Sequence, residues 1–157
     1  MILIKQSLKD LKSEFPPIQE LVPHARTMCL LDRLVAWDGS KARCVLTVSE
    51  KDPFADSFGR IPAYVGIEYI SQCAAAHASL KKKEEKEDSS PKVALLISTR
   101  KVEFFVDHFT MGQILEIQTV NVSENKHMAA FSGEISDAES GEVFLKATLN
   151  FYQPKIV

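Results

Sequence analysis

Between Pro62 and Leu80 the chain carries one formal charge, Glu68, in nineteen residues rich in alanine, isoleucine, tyrosine and valine. Proline leads in and lysine-rich sequence follows, so the segment reads as a helix buried around most of its circumference. Such a helix needs cover on more than one side, from a curled sheet or from a sheet plus a second subunit. A buried carboxylate is costly unless it is paired, hydrogen-bonded or protonated. Glu68 is therefore either a group kept for chemistry or a partly exposed carboxylate favoured by the positive end of the helix dipole.

The sequence on either side reads as strands. Met28 to Trp37 and Lys41 to Val48 flank the tight-turn dipeptide Asp38-Gly39, with Ala42, Cys44, Leu46 and Val48 on one face of the second strand. After the helix come Val93 to Val106, Ile114 to Val122, His127 to Ile135 and Val143 to Tyr152. In the last of these, Val143, Leu145, Ala147, Leu149 and Phe151 alternate with more polar positions, the period of a half-buried strand. Two strands, one long helix and four strands make an α+β layout in which an antiparallel sheet wraps the helix. Residues 1–17 read as an arm, residues 18–157 as one domain, and 81–91 as a solvated, flexible charged connection.

Composition narrows the function. A net charge of −2 argues against a broad nucleic-acid footprint, and the initial apolar run ends after four residues, too short for a signal peptide or membrane span. Cys29, Cys44 and Cys73 are odd in number and widely spaced, without a Cys-x-x-Cys pair. That pattern fits reduced thiols in a cytoplasmic protein, with neither a disulfide framework nor a zinc site.

The run Ile18 to Leu34, with Pro23-His24 followed by Leu30-Leu31-Asp32-Arg33, resembles the opening of β-hydroxyacyl-(acyl-carrier-protein) dehydratases of the FabZ and FabA type. Pro62, Glu68 and Gln72 match the spacing of that family's Pro-Gly…Glu-Ala-Met-Ala-Gln helix start. Pro-His, Val65-Gly-Ile-Glu68 and Leu95-Leu96…Arg100 are most similar to the compact dehydratase-like proteins of aryl-polyene and related pathways. The resemblance spans roughly residues 18 to 153. It implies a hotdog fold, strands pairing across a homodimer, and an acyl tunnel at the subunit interface. No cofactor is implied. The partner it implies is an acyl carrier protein bearing a 3-hydroxyacyl chain.

One departure stands out. The family places a histidine fourteen residues before the helix carboxylate, and this chain has Phe54 there, in a loop without histidine. Dehydration of a 3-hydroxyacyl thioester requires removal of an α-proton and protonation of the departing β-hydroxyl, roles a histidine and a carboxylate divide well. His24, within the Pro-His motif, is the substitute expected beside Glu68; a backbone-bonded loop histidine is the plainer alternative. His77 lies about 13 Å further along the helix from Glu68, which points to packing; His108 falls near a predicted turn and His127 opens a strand.

Around this pair, Gln72 is one turn from Glu68 and placed either to bond it or to fix the loop from Pro53 to Arg60. By the resemblance, the amides at Ala63 and Tyr64 stand where the thioester carbonyl is polarised. Phe54 would contact substrate. Arg100, with Lys101 and the supplement Lys81 to Lys83, would receive an acidic carrier protein. A hotdog thioesterase and a non-catalytic acyl-binding partner of another dehydratase are the competing expectations.

Overall fold

The computed structural model describes residues 14–23, 26–86 and 94–154. A short helix, α1 (Ile18–Leu21), precedes β1 (Arg33–Trp37) and β2 (Lys41–Thr47). Then β3 (Arg60–Pro62) leads through a 3-10 turn at Ala63–Val65 into the long helix α2 (Gly66–Glu84). The remainder is β4 (Leu95–Phe104), β5 (His108–Thr110), β6 (Ile114–Glu124), β7 (Met128–Asp137) and β8 (Val143–Tyr152). Six strands form an antiparallel sheet in the order β1-β2-β6-β7-β8-β4, and β3 pairs with β5 separately.

The sheet curls around α2, which contacts β1, β2, β6, β7 and β8, and so covers the stretch to Leu80 in which Glu68 is the one charge. Ala42, Cys44, Leu46 and Val48 are all buried beneath it, and so are Leu145, Ala147 and Leu149 of β8. Close contact depends on a missing side chain. A Cβ on Gly133 of β7 would lie 2.3 Å from Ile70 Cγ2, so only glycine lets helix and sheet approach this far. The β1–β2 turn is set by Asp38, whose Oδ1 accepts the N–H groups of Ser40 (3.0 Å) and Lys41 (2.8 Å), with Gly39 at φ +90°.

Three features differ from the sequence reading. β1 begins at Arg33, not Met28, because Arg26–Met28 form a 3-10 turn and the backbone of Met28 and Leu30 bonds a side chain of α2 instead of a neighbouring strand. The three-residue strands β3 and β5 are too short to leave a periodic signal. The helix continues through Lys81–Glu84 into the stretch read as a solvated connection, and Lys81 Nζ meets Glu124 Oε1 at 2.6 Å. Residues 87–91 of that connection and 1–13 of the expected arm lie outside the described residues.

Strand β4 is an open sheet edge. It exposes Leu95, Leu96, Ile97 and Phe104, and Phe105 follows them, so apolar surface sits beside unpaired ladder groups. Cys29, Cys44 and Cys73 are free thiols, the last two buried. Among the described residues, no helix is long and apolar enough to cross a membrane.

Candidate active site

The first turns of α2 and the segment before β1 are joined through one buried amide. Gln72, with no exposed surface, accepts from Leu30 N–H at 2.9 Å and donates through Nε2 to the Met28 carbonyl at 2.7 Å. The same Nε2 donates to Glu68 Oε1 at 3.1 Å. Of the two partners open to Gln72 from sequence, the structure gives Glu68; the loop from Pro53 to Arg60 is held otherwise. The Tyr69 hydroxyl, on a wholly buried side chain, donates to Asp52 Oδ2 at 2.6 Å, while Asp52 Oδ1 accepts Phe54 N–H at 2.8 Å. Burial, then the Asp52 carboxylate, pushes the Tyr69 phenol pKa well up, so it stays a donor.

Glu68 is half-buried and lines a groove of about 840 Å³ that runs along α2 as far as Glu85. The helix supplies small side chains as its floor, Ser71, Ala74, Ala75 and Ala78, while Leu96, Phe131 and Phe151 supply apolar wall. The far end is polar, where Lys81 pairs with Glu124 and Glu124 Oε2 also accepts from Asn121 Nδ2 at 2.8 Å. That contact raises the Lys81 pKa and lowers that of Glu124. A carboxylate fixed at one end of an apolar channel can exchange protons with the polar head of a molecule whose tail lies in the channel.

The histidines are dispersed. His77 is buried in the core, edge-on to Trp37 (6.3 Å between ring centroids) and Phe131 (5.3 Å). Desolvation, then the charge of Lys81, lowers its pKa. His108 is exposed on β5 opposite Pro62, and His127 lines the groove at the β6–β7 turn near Glu124. His24 lies outside the described residues; Pro23, just before it, lines the groove with Glu68.

The other sequence candidates sit apart from the groove. Ala63 is buried and its N–H donates to the Asp107 carbonyl at 3.0 Å; Tyr64 is exposed beside it. Phe54 is an exposed loop side chain, and Arg100 is exposed on β4 at an irregularity in its pairing with β8, where Lys101 takes φ +50°. The floor and walls of the groove were not singled out from sequence. Their one legible trace is the recurrence of small residues at 71, 75 and 78, on the helix face of Glu68.

A sheet curled around one long helix, with a carboxylate near the helix start opening onto an apolar groove, defines a hotdog-fold protein. Residues 16–157 match the model of the ApeP-like family, described as ApeP dehydratase, and the chain belongs to that family. It is similar to a solved structure of the dehydratase heterocomplex ApeI:P from Xenorhabdus doucetiae: 30% identity, 90% of this chain and 93% of that one covered, TM-score 0.84. Fold similarity extends to a hypothetical thioesterase protein with coenzyme A from Streptococcus pneumoniae (10% identity, 78% and 84% covered, TM-score 0.58). It also reaches thioesterase superfamily member 2 from Mus musculus (12% identity, 76% and 80% covered, TM-score 0.59). Comparison with curated protein sequences gave no match.

Proposed function

We propose that the protein dehydrates 3-hydroxyacyl thioesters carried on an acyl carrier protein, in a cytoplasmic fatty-acid or polyene-type biosynthesis. The observation that carries this reading is Glu68, held by Gln72 and lining one end of an apolar groove. Family membership supports the reaction class. In the reaction, a base takes the α-proton, the electron pair forms the α,β double bond, and the C–O bond breaks as an acid protonates the departing hydroxyl to water. Glu68 performs one proton transfer, and His24, carried over from the family's Pro-His motif, is assigned the other.

The open β4 edge and its exposed leucines and phenylalanine support pairing through this strand, which would also roof the groove beside Leu95 and Leu96. A homodimer is the assembly we assign; a stable monomer in micromolar sedimentation experiments would oppose it. Arg100 and Lys101 are assigned to carrier docking; Lys81 is engaged by Glu124 at the end of the groove away from Glu68. Reversing both Arg100 and Lys101 to Glu should slow turnover of carrier-bound substrate at low salt.

A second reading has its own support. Phe54 stands where the FabZ- and FabA-type dehydratases that the chain resembles have their loop histidine, and the related ApeI:P structure is a heterocomplex, which favours an acyl-binding partner that completes another dehydratase. Product analysis on 3-hydroxyacyl carrier substrate decides. An α,β-unsaturated thioester supports the enzyme, turnover only with an added partner supports the second reading, and a free thiol indicates hydrolysis instead.

A further inference from the structure

We infer that Ala75 and Ala78 set how long an acyl chain the groove admits, and that the Lys81–Glu124 ion pair marks where its apolar stretch ends. The inference deepens the dehydratase reading and rests on it for the identity of the occupant, the apolar tail of the 3-hydroxyacyl group. Helical spacing gives the ruler. Relative to Glu68, Ala75 lies about 10 Å along the axis, Ala78 about 15 Å and Lys81 about 20 Å. All four residues line the same groove. A tail whose thioester head is at Glu68 therefore passes Ala75 and then Ala78 before meeting charge.

Each part of the channel has a consequence for the tail. Methyl side chains at 75 and 78 leave open the space between helix and the wall formed by Leu96, Phe131 and Phe151, which a larger side chain would fill. At the end, Lys81 Nζ is 2.6 Å from Glu124 Oε1, and Asn121 fixes the other carboxylate oxygen. An apolar tail pushed further would have to strip water from these groups without offering them a hydrogen bond. The pair also ties the last turns of α2 to the end of β6, so the stop is anchored at both sides.

The test is a length series of 3-hydroxyacyl thioesters, from 3-hydroxybutyryl through 3-hydroxydecanoyl to 3-hydroxyhexadecanoyl, on the whole chain in its solution assembly. Ala75→Phe should lower kcat/KM for long chains by about tenfold or more relative to its effect on 3-hydroxybutyryl. Ala78→Phe should do the same with the cut-off displaced by one step of the helix, about 4.5 Å further. Equal loss across all lengths, or long-chain activity unchanged in both variants, would overturn the inference. The same series of unreactive thioether analogues, read by calorimetry, keeps it open to refutation where no turnover is found. Stepwise loss of long-chain binding in the two variants upholds the ruler and leaves the failure with the dehydratase reading; binding insensitive to length and to both substitutions overturns the ruler itself.

Discussion

Gln72 Nε2 stands 3.1 Å from Glu68 Oε1 and 2.7 Å from the Met28 carbonyl, so one amide fixes both a candidate catalytic carboxylate and the chain segment leading into β1. This joins a helix turn to a segment more than forty residues away in sequence, since Gln72 and Leu30 are separated by 42 positions. Gln72 is thus a positioning residue whose loss should be felt in stability and in rate together.

Gln72→Leu preserves approximate size but leaves the buried Leu30 N–H unpaired and takes a partner from the half-buried Met28 carbonyl. The expected cost is about 1–3 kcal/mol of folding stability, measured by urea denaturation. If dehydration is observed in the unaltered protein, kcat should fall by about tenfold or more with KM changed much less, because the carboxylate loses its orientation rather than the substrate its groove. A fall in KM-dependent binding alone would assign Gln72 to substrate contact instead.

Glu68→Gln keeps the helix and the side-chain size while removing the proton-transfer group. Turnover should drop by roughly two to four orders of magnitude, with the thermal transition unchanged or higher, since relieving a partly buried carboxylate is often neutral or stabilising. His24→Ala should match that loss if His24 supplies the second proton transfer. Full activity in Glu68→Gln would remove the enzymatic role of this helix.

Gly133→Ala tests the contact of helix and sheet. The added Cβ would fall 2.3 Å from Ile70 Cγ2, so either the Ile70 side chain or β7 must shift. A loss of about 1–3 kcal/mol is expected from overpacking, read as a lower denaturation midpoint. Pairing it with Ile70→Ala, which removes Cγ2 itself, should cost less than the sum of the two single losses, as room is made at the clash.

His77 gives the fold an acid sensitivity of defined sign. Its folded-state pKa lies below the ordinary value of 6.5 because the ring is desolvated and faces Lys81, with Glu124 and Asp38 opposing. The unfolded chain therefore binds a proton that the folded one does not, and the stability owed to neutral His77 is present above about pH 6.5 and declines as pH falls below it. His77→Phe should flatten the denaturation midpoint between about pH 7 and 5 relative to the unaltered protein. An unchanged slope would mean that other groups set it.

Much of the architecture was legible in the chain itself. The run from Pro62, with Glu68 as its one charge, forced a covered helix, and strict alternation in β2 and β8 named the buried faces, because residues such as Ala42, Cys44, Leu145 and Leu149 declare their side through period two. Motif order pointed to the family later shown by the match over residues 16–157. The spacing of Glu68 and Gln72 put them on one helix face, and they are bonded there.

Only the tertiary structure decided what those residues meet. Sequence spacing could not choose Met28 and Leu30 over the Pro53–Arg60 loop as the distant partners of Gln72, nor pair Tyr69 with Asp52 or Lys81 with Glu124. Such contacts depend on how far the helix is set into the sheet, which Gly133 and the curl of six strands determine together. The groove likewise belongs to no single segment: its floor comes from α2, and its walls from β4, β7 and β8. Local periodicity fixes which face a side chain joins; the packing of distant elements fixes what stands across from it.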